Sequence, residues 1–156
     1  MPRKDHCIRI VQRFNAPADR VFDAWIDPDV ARRWLFATAS RPVVGARIDA
    51  RAGRSFSLED QDVVWTGKYL EVARPRRLVF AYSANGRAAK ARINVGIVPL
   101  AKGCELTLTH QGMLPELAAS VDGRWAGMLY GLGETLASAT SPQLWSDSIY
   151  RNAANR

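Results

Sequence analysis

His110 is the residue in this 156-residue chain best suited to acid–base work, and it has little company; the only other histidine, His6, lies near the N-terminal end. In "CELTLTH" (104–110) strand alternation puts Leu106, Leu108 and His110 on one face and Thr107 and Thr109 on the other. An inward imidazole at a strand end has two uses. It can serve as a general base or polar anchor at the mouth of a cavity. With Tyr69 or Tyr82 beside it, that arrangement would suit a cyclase or hydrolase acting on an aromatic substrate. It can also hydrogen-bond the main chain and simply fix the following loop. Cys7 and Cys104 make no CxxC and no metal-ligand spacing. Strand phase sends them to opposite sheet faces, so both are expected to be packing residues rather than a disulfide. Acidic residues fall mostly at caps, turns and outward strand positions, and Glu71 in "YLEV" is expected to pair with Arg76 or Arg77. The chain contains no GxSxG, no P-loop and no GxGxxG. No metal site and no cofactor is therefore expected, and no catalytic residue beyond His110.

The inward apolar and aromatic set is more informative. Trp34 comes from a helix, and Phe56, Trp65 and Tyr69 from successive strand segments. Phe80 and Tyr82 share one strand face, Ile93 and Val95 another, and Leu108 precedes His110 on a third. Trp125 and Leu129 lie on the inner stripe of the last helix. Together these twelve residues are expected to wall a cavity. Tyr69, Tyr82 and His110 are the telling ones, because a buried polar tip needs a partner. Apolar walls with a few polar groups suit a small hydrophobic molecule carrying one or two polar atoms.

Elements that could position such a wall are legible in order. "CIRIVQRF" alternates as a half-buried strand with Ile8, Ile10 and Phe14 inward. "APADRVFDAWIDP" reads as a helix with Pro17 in its first turn and Val21, Phe22 and Trp25 on one stripe. Asp27-Pro28 then supplies an N-cap and an N1 proline for a short second helix that turns Val30 and Trp34 inward. From Gly45 to Gln111, strand segments recur with short turns at "ARPRR", "NGR" and "KG", and no helix interrupts them. That predicts an antiparallel meander and excludes a parallel βαβ arrangement. Leu114, Leu117, Ala118, Val121, Trp125, Met128, Leu129, Leu132 and Leu136 fall on one helical stripe, predicting an unbroken helix over 114–136 that ends before Pro142. The segment 141–156 has no periodicity and is expected to fray or to dock through Trp145 and Tyr150.

Charge adds an exclusion. Lys and Arg number 22 against 15 Asp and Glu, a net +7, and 18 of those cations are arginine. They are scattered and interspersed with acids, without the concentrated basic face and aromatic platforms of a nucleic-acid surface. No apolar run approaches the ~20 residues of a membrane helix, and "MPRKDHCIRI" lacks a signal-peptide core. The expected location is the cytoplasm, with no nucleic-acid or membrane partner.

Element order and four short signatures then resemble a known family. "FNAPADRVFDAWIDPDVARRW", "GKYLEVARPRRLVF", "ELTLTHQGM" and the following "GRW" are similar to the bacterial branch of the Hsp90 ATPase activator homologue family, within the START/Bet v 1-like superfamily. The resemblance runs from about Ile8 to Leu136. It implies an α+β helix-grip fold: a curved antiparallel sheet of six to seven strands around a long C-terminal helix, with two short helices after the first strand. One domain would span 1–156, with its core over 7–140 and a tail over 141–156. The resemblance implies a cavity between sheet and helix, and so hydrophobic ligand binding. The family name implies a chaperone partner, with Arg74, Arg76 and Arg77 as a contact patch. Gly123, Gly127 and Gly131 lie on the far side of the final helix from its apolar stripe, with Gly133 nearer the edge. They are expected to meet the tail, a second copy in a homodimer, or solvent, and to leave the helix soft enough to open for a ligand.

Overall fold

A computed structural model describes residues 6–36, 43–85, 91–113 and 118–139. The order is β1 (His6–Phe14), α1 (Ala18–Ile26), α2 (Pro28–Trp34), β2 (Gly45–Ile48), β3 (Ser55–Glu59), β4 (Val64–Ala73), β5 (Arg77–Ala84), β6 (Ala91–Pro99), β7 (Cys104–Met113) and α3 (Ala118–Ala139). All seven strands join one antiparallel sheet in the order β1-β7-β6-β5-β4-β3-β2. Sequential neighbours pair throughout β2 to β7, as short turns demand, and β1 closes on the last strand. The expected helix-grip architecture is what forms.

Local chemistry explains the joints. Asp27 accepts a hydrogen bond at 3.0 Å from the Asp29 backbone N–H, and Pro28 occupies the first turn of α2, where its missing N–H has no partner to lose. Pro17 stands one residue further out than expected, at the N-cap of α1. Arg74, in the β4–β5 turn, grips the Asp23 carboxylate of α1 with two hydrogen bonds of 2.7 and 2.8 Å, tying helix to sheet. Two positions in the sheet admit only glycine. A side chain at Gly67 would run into the Phe56 ring and the Ala81 carbonyl, so its absence lets Phe56 lie across β4. Gly112 (φ 88°) is the extra residue where β7 slips past His6 and Cys7, a bulge that interrupts the ladder two residues beyond His110.

The concave face of the sheet and the inner stripe of α3 form one core. Trp125, Met128, Leu129, Leu132 and Leu136 are buried on α3, against Leu78, Phe80, Ile93, Val95, Leu106 and Leu108 from the strands. Val21, Phe22, Trp25, Ala31 and Trp34 close the core from the α1–α2 side. The predicted helix start at 114–117 lies outside the described residues, and the helix runs three residues past the expected Leu136. Two expectations need correction. Cys104 packs in the core, but Cys7 points outward on β1 and is exposed, because odd positions of that strand face solvent. Gly131 is not on the outer face: a Cβ there would meet Trp34 at 3.8 Å, since α2 leans on that flank of α3. Gly133 lies against Phe14 at 3.8 Å, as its edge position suggests. The expected docking segment with Trp145 and Tyr150 falls outside the described residues.

Among the described residues, no atom lies within 4 Å of where a Cβ would stand at Gly123 or Gly127. Each therefore weakens the helix by roughly 1 kcal/mol relative to alanine and gains nothing in packing among the described residues. The double variant Gly123→Ala, Gly127→Ala is expected to raise unfolding free energy by about 1–2 kcal/mol in urea titrations. A loss of stability would mean that a partner sits on this face.

Candidate functional site

His110 is 2% exposed, on the inward face of β7 after Leu106 and Leu108. Its Nε2 lies 3.2 Å from the Tyr82 hydroxyl, and the Tyr82 oxygen in turn hydrogen-bonds the side chain of Trp125. An indole N–H can only donate, so Tyr82 accepts from Trp125. Its own proton is then free to go to Nε2. That arrangement puts the imidazole proton on Nδ1, which has no partner among the described residues. The opposite tautomer would leave the Tyr82 hydroxyl proton without an acceptor as well, two unmet groups in place of one. Nδ1–H is thus a buried donor with no well-formed hydrogen bond, only a weak approach to its own main chain.

Burial sets the protonation states here. It lowers the His110 pKa to about 4, outweighing an opposing contribution from the residue's own main chain. Burial also pushes the Tyr82 hydroxyl upward, partly countered by the Trp125 hydrogen bond and the Arg124 charge. At neutral pH the whole constellation is uncharged. A histidine this weakly basic is poorly matched to general-base work near pH 7 and well matched to holding a neutral oxygen.

The wall around it is aromatic. Trp125 lies 6.2 Å from the His110 ring, 6.4 Å from Tyr82 and 6.1 Å from Trp25, the last nearly parallel at 22°. Trp25 stands edge-on to Trp34 at 4.6 Å, and the Trp34 indole donates to the Ala24 carbonyl at 3.0 Å. Of the expected wall, Phe80, Tyr82, His110 and Trp125 gather directly, with Ile93, Val95, Leu108 and Leu129 buried in the same core. Trp65, half-buried at the start of β4, joins them through Phe36, whose ring stacks on it at 5.1 Å and 6°. Tyr69 does not join His110. The registers align Tyr69, Phe80, Ile93 and His110 in one row across β4, β5, β6 and β7, three strand spacings or roughly 14 Å apart. Tyr69 belongs instead to a second group with Phe56 at 5.4 Å and Phe80 at 6.3 Å, where burial and then the Asp49 charge raise its pKa.

Phe36, Met128 and Trp25 were not anticipated in this region. Phe36 follows α2 in "WLFATASRP", where no periodicity marks a direction, and only its apolar character hinted at burial. Two clefts lie away from His110. One of about 370 Å³ separates the end of β1 from α3, between Gln12, Phe14, Tyr130 and Leu136. Another of about 420 Å³ sits at the β2–β3 edge beside Asp49, Phe56 and Thr66. Among the described residues no group of three His, Cys, Asp or Glu could hold a metal ion.

A sheet gripping a long helix is also the fold that comparison with solved structures recovers. The model of the Activator of Hsp90 ATPase homolog 1-like protein family matches residues 15–137. The chain belongs to that family. A search of curated proteins finds no match. The AHSA1-like protein of Aeromonas hydrophila superposes with a TM-score of 0.76 at 23% identity, over 86% of this chain and 94% of that one. CalU16 of Micromonospora echinospora gives 0.66 at 25%, over 96% of this chain and 85% of its own. DynU16, a protein in the dynemicin biosynthetic locus, gives 0.73 at 20%, over 84% of this chain and 47% of its own. These structures share the grip of sheet on helix, while function does not follow from the fold. The basic patch that the family name suggested is largely engaged here: Arg74 holds Asp23, and Arg77 holds Glu71 at 3.1 Å and Asn94 at 3.2 Å, the Glu71 pair being the one expected. No helix among the described residues is long and apolar enough to cross a membrane.

Proposed function

We propose that this family member is a cytoplasmic binding domain for a small, neutral, mostly apolar molecule held between the inner sheet face and α3. The observation that carries the reading is His110: a nearly fully buried imidazole, neutral by burial, with Nδ1–H unmet inside an otherwise aromatic wall. A buried donor without a partner costs about 1–3 kcal/mol, and a ligand oxygen would recover much of it. The fold supports the reading, because a curved sheet and one helix leave their shared concavity to be filled by side chains or by a guest. No buried charge among the wall residues would compensate an ionised ligand, so a carboxylate should be excluded.

Thermal unfolding with matched guests tests this. 2-Acetylnaphthalene is expected to raise Tm saturably, and 2-naphthoate of the same size to leave it unchanged. If no neutral aromatic shifts Tm, or the carboxylate does so equally, the reading fails.

A further inference from the structure

Phe36 ends the α1–α2 layer in an unusual posture. Its φ is 60°, in the left-handed region that bulky side chains avoid. Its backbone N–H is spent on the Met128 sulfur at 3.0 Å, a weak acceptor. What this conformation achieves is the placement of the ring. It is 6% exposed, lies parallel on Trp65 at 5.1 Å, tilts onto Tyr82 at 5.0 Å and meets Trp125 edge-on at 5.8 Å. Two of those three neighbours, Tyr82 and Trp125, also flank His110. Trp65 and Tyr82 are only half-buried, so the slot lies at the solvent end of the core rather than in its middle.

We propose that the Phe36 ring is a built-in occupant of the ligand position, which a flat, neutral aromatic ketone or aldehyde displaces. This rests on the binding role proposed above and names both the guest and what it must move. The Trp65 face selects a planar ring, by stacking. The unmet Nδ1–H of His110 selects an oxygen acceptor, which the phenyl ring of Phe36 lacks; a guest that supplies both improves on the resident ring. Leaving the slot also frees residue 36 from its left-handed backbone and exchanges the sulfur contact for water, which makes Phe36 the mobile partner rather than Trp65 or Trp125. Because the binding-competent state is the minor one while the ring is in place, apparent affinity is reduced by the fraction open.

The probe is prodan, a fluorescent naphthyl ketone whose emission reports a dry environment, with 2-propylnaphthalene as an oxygen-free competitor. Glycine accepts φ 60° without strain, so Phe36→Gly empties the slot while keeping the backbone. Prodan is expected to bind Phe36→Gly at least tenfold more tightly than the wild type. His110→Leu is expected to remove the preference for the ketone over the hydrocarbon. Equal affinity of wild type and Phe36→Gly overturns the displacement while leaving the binding role intact; no binding to either protein overturns both. The wild-type chain gives a check that does not depend on the variant's fold. With 4-fluorophenylalanine incorporated, the fluorine resonance of Phe36, assigned through Phe36→Leu, should move to its solvent-exposed position as prodan saturates. A resonance that stays in its buried position while prodan binds overturns the proposal.

Discussion

Truncating Trp125 to alanine should be the most damaging single change in the interior, lowering stability by roughly 3–5 kcal/mol. The indole is 0% exposed and touches four aromatic or heteroaromatic rings: Trp25, Phe36, Tyr82 and His110. Its removal adds three losses. Transfer and cavity terms are the largest, as for any buried ring. The Tyr82 oxygen loses its donor. The parallel face under Trp25 and the edge against Phe36 disappear, each such pair being worth about 0.5–1.5 kcal/mol beyond burial. For a chain of this length the midpoint should fall on the order of 10 °C. Because the hole is apolar and shaped by aromatic neighbours, it should stay dry and accept a ring. Millimolar indole should therefore raise the Tm of Trp125→Ala by more than that of the wild type. A loss below about 1.5 kcal/mol would instead place Trp125 at a site that collapses freely, outside the range for buried rings.

That prediction depends on contacts which sequence could indicate only in part. The phase of α3 was legible because Trp125, Met128, Leu129, Leu132 and Leu136 recur at helical spacing, and those positions are the buried ones. Strand phases were legible for the same reason at period two: Leu106, Leu108 and His110 are inward, as are Ile93, Val95 and Ile97. Asp27-Pro28 announced a helix start through cap chemistry, which is local. What periodicity does not contain is registration between strands far apart in the sheet. Tyr69, Tyr82 and His110 all read as inward polar tips, yet only Tyr82 reaches the imidazole, because Tyr69 lies three strands away in the same row. Phe36 was invisible for a different reason. Its place among Trp65, Tyr82 and Trp125 comes from a single left-handed residue beyond a helix end, and a propensity argument would assign that conformation to glycine or asparagine. Gly131 was misplaced by treating α3 as having one neighbour; α2 supplies a second. Local chemistry thus wrote the elements and their faces, and tertiary registration decided which inward groups meet.

The second large effect is carried by protons. His110 has a pKa of about 4 in the folded protein against an ordinary 6.5, lowered by burial. A group buried in its neutral form binds fewer protons when folded than when unfolded, so stability is complete above pH 6.5 and falls as pH drops towards 4. Two and a half pH units correspond to about 3 kcal/mol, lost between those limits. The wild-type curve sums over every titrating group of the chain and does not isolate this one. His110→Gln does. Glutamine offers an amide oxygen to the Tyr82 hydroxyl, has no proton to gain, and leaves all other titrating side chains in place. Tyr82 itself stays protonated throughout, its pKa raised by burial. In urea unfolding at pH 7.0, 6.0, 5.0 and 4.5, the wild type should lose more stability than His110→Gln at each acidic step. The difference should approach about 3 kcal/mol near pH 4 and vanish above pH 7. Parallel curves for the two proteins would mean that protonated His110 finds a partner in the interior, and the unmet donor on which ligand binding depends would not exist. The same titration in the presence of saturating ketone should flatten, because the imidazolium keeps its Nδ1–H and donates it more strongly to the guest oxygen, which raises the folded-state pKa of His110.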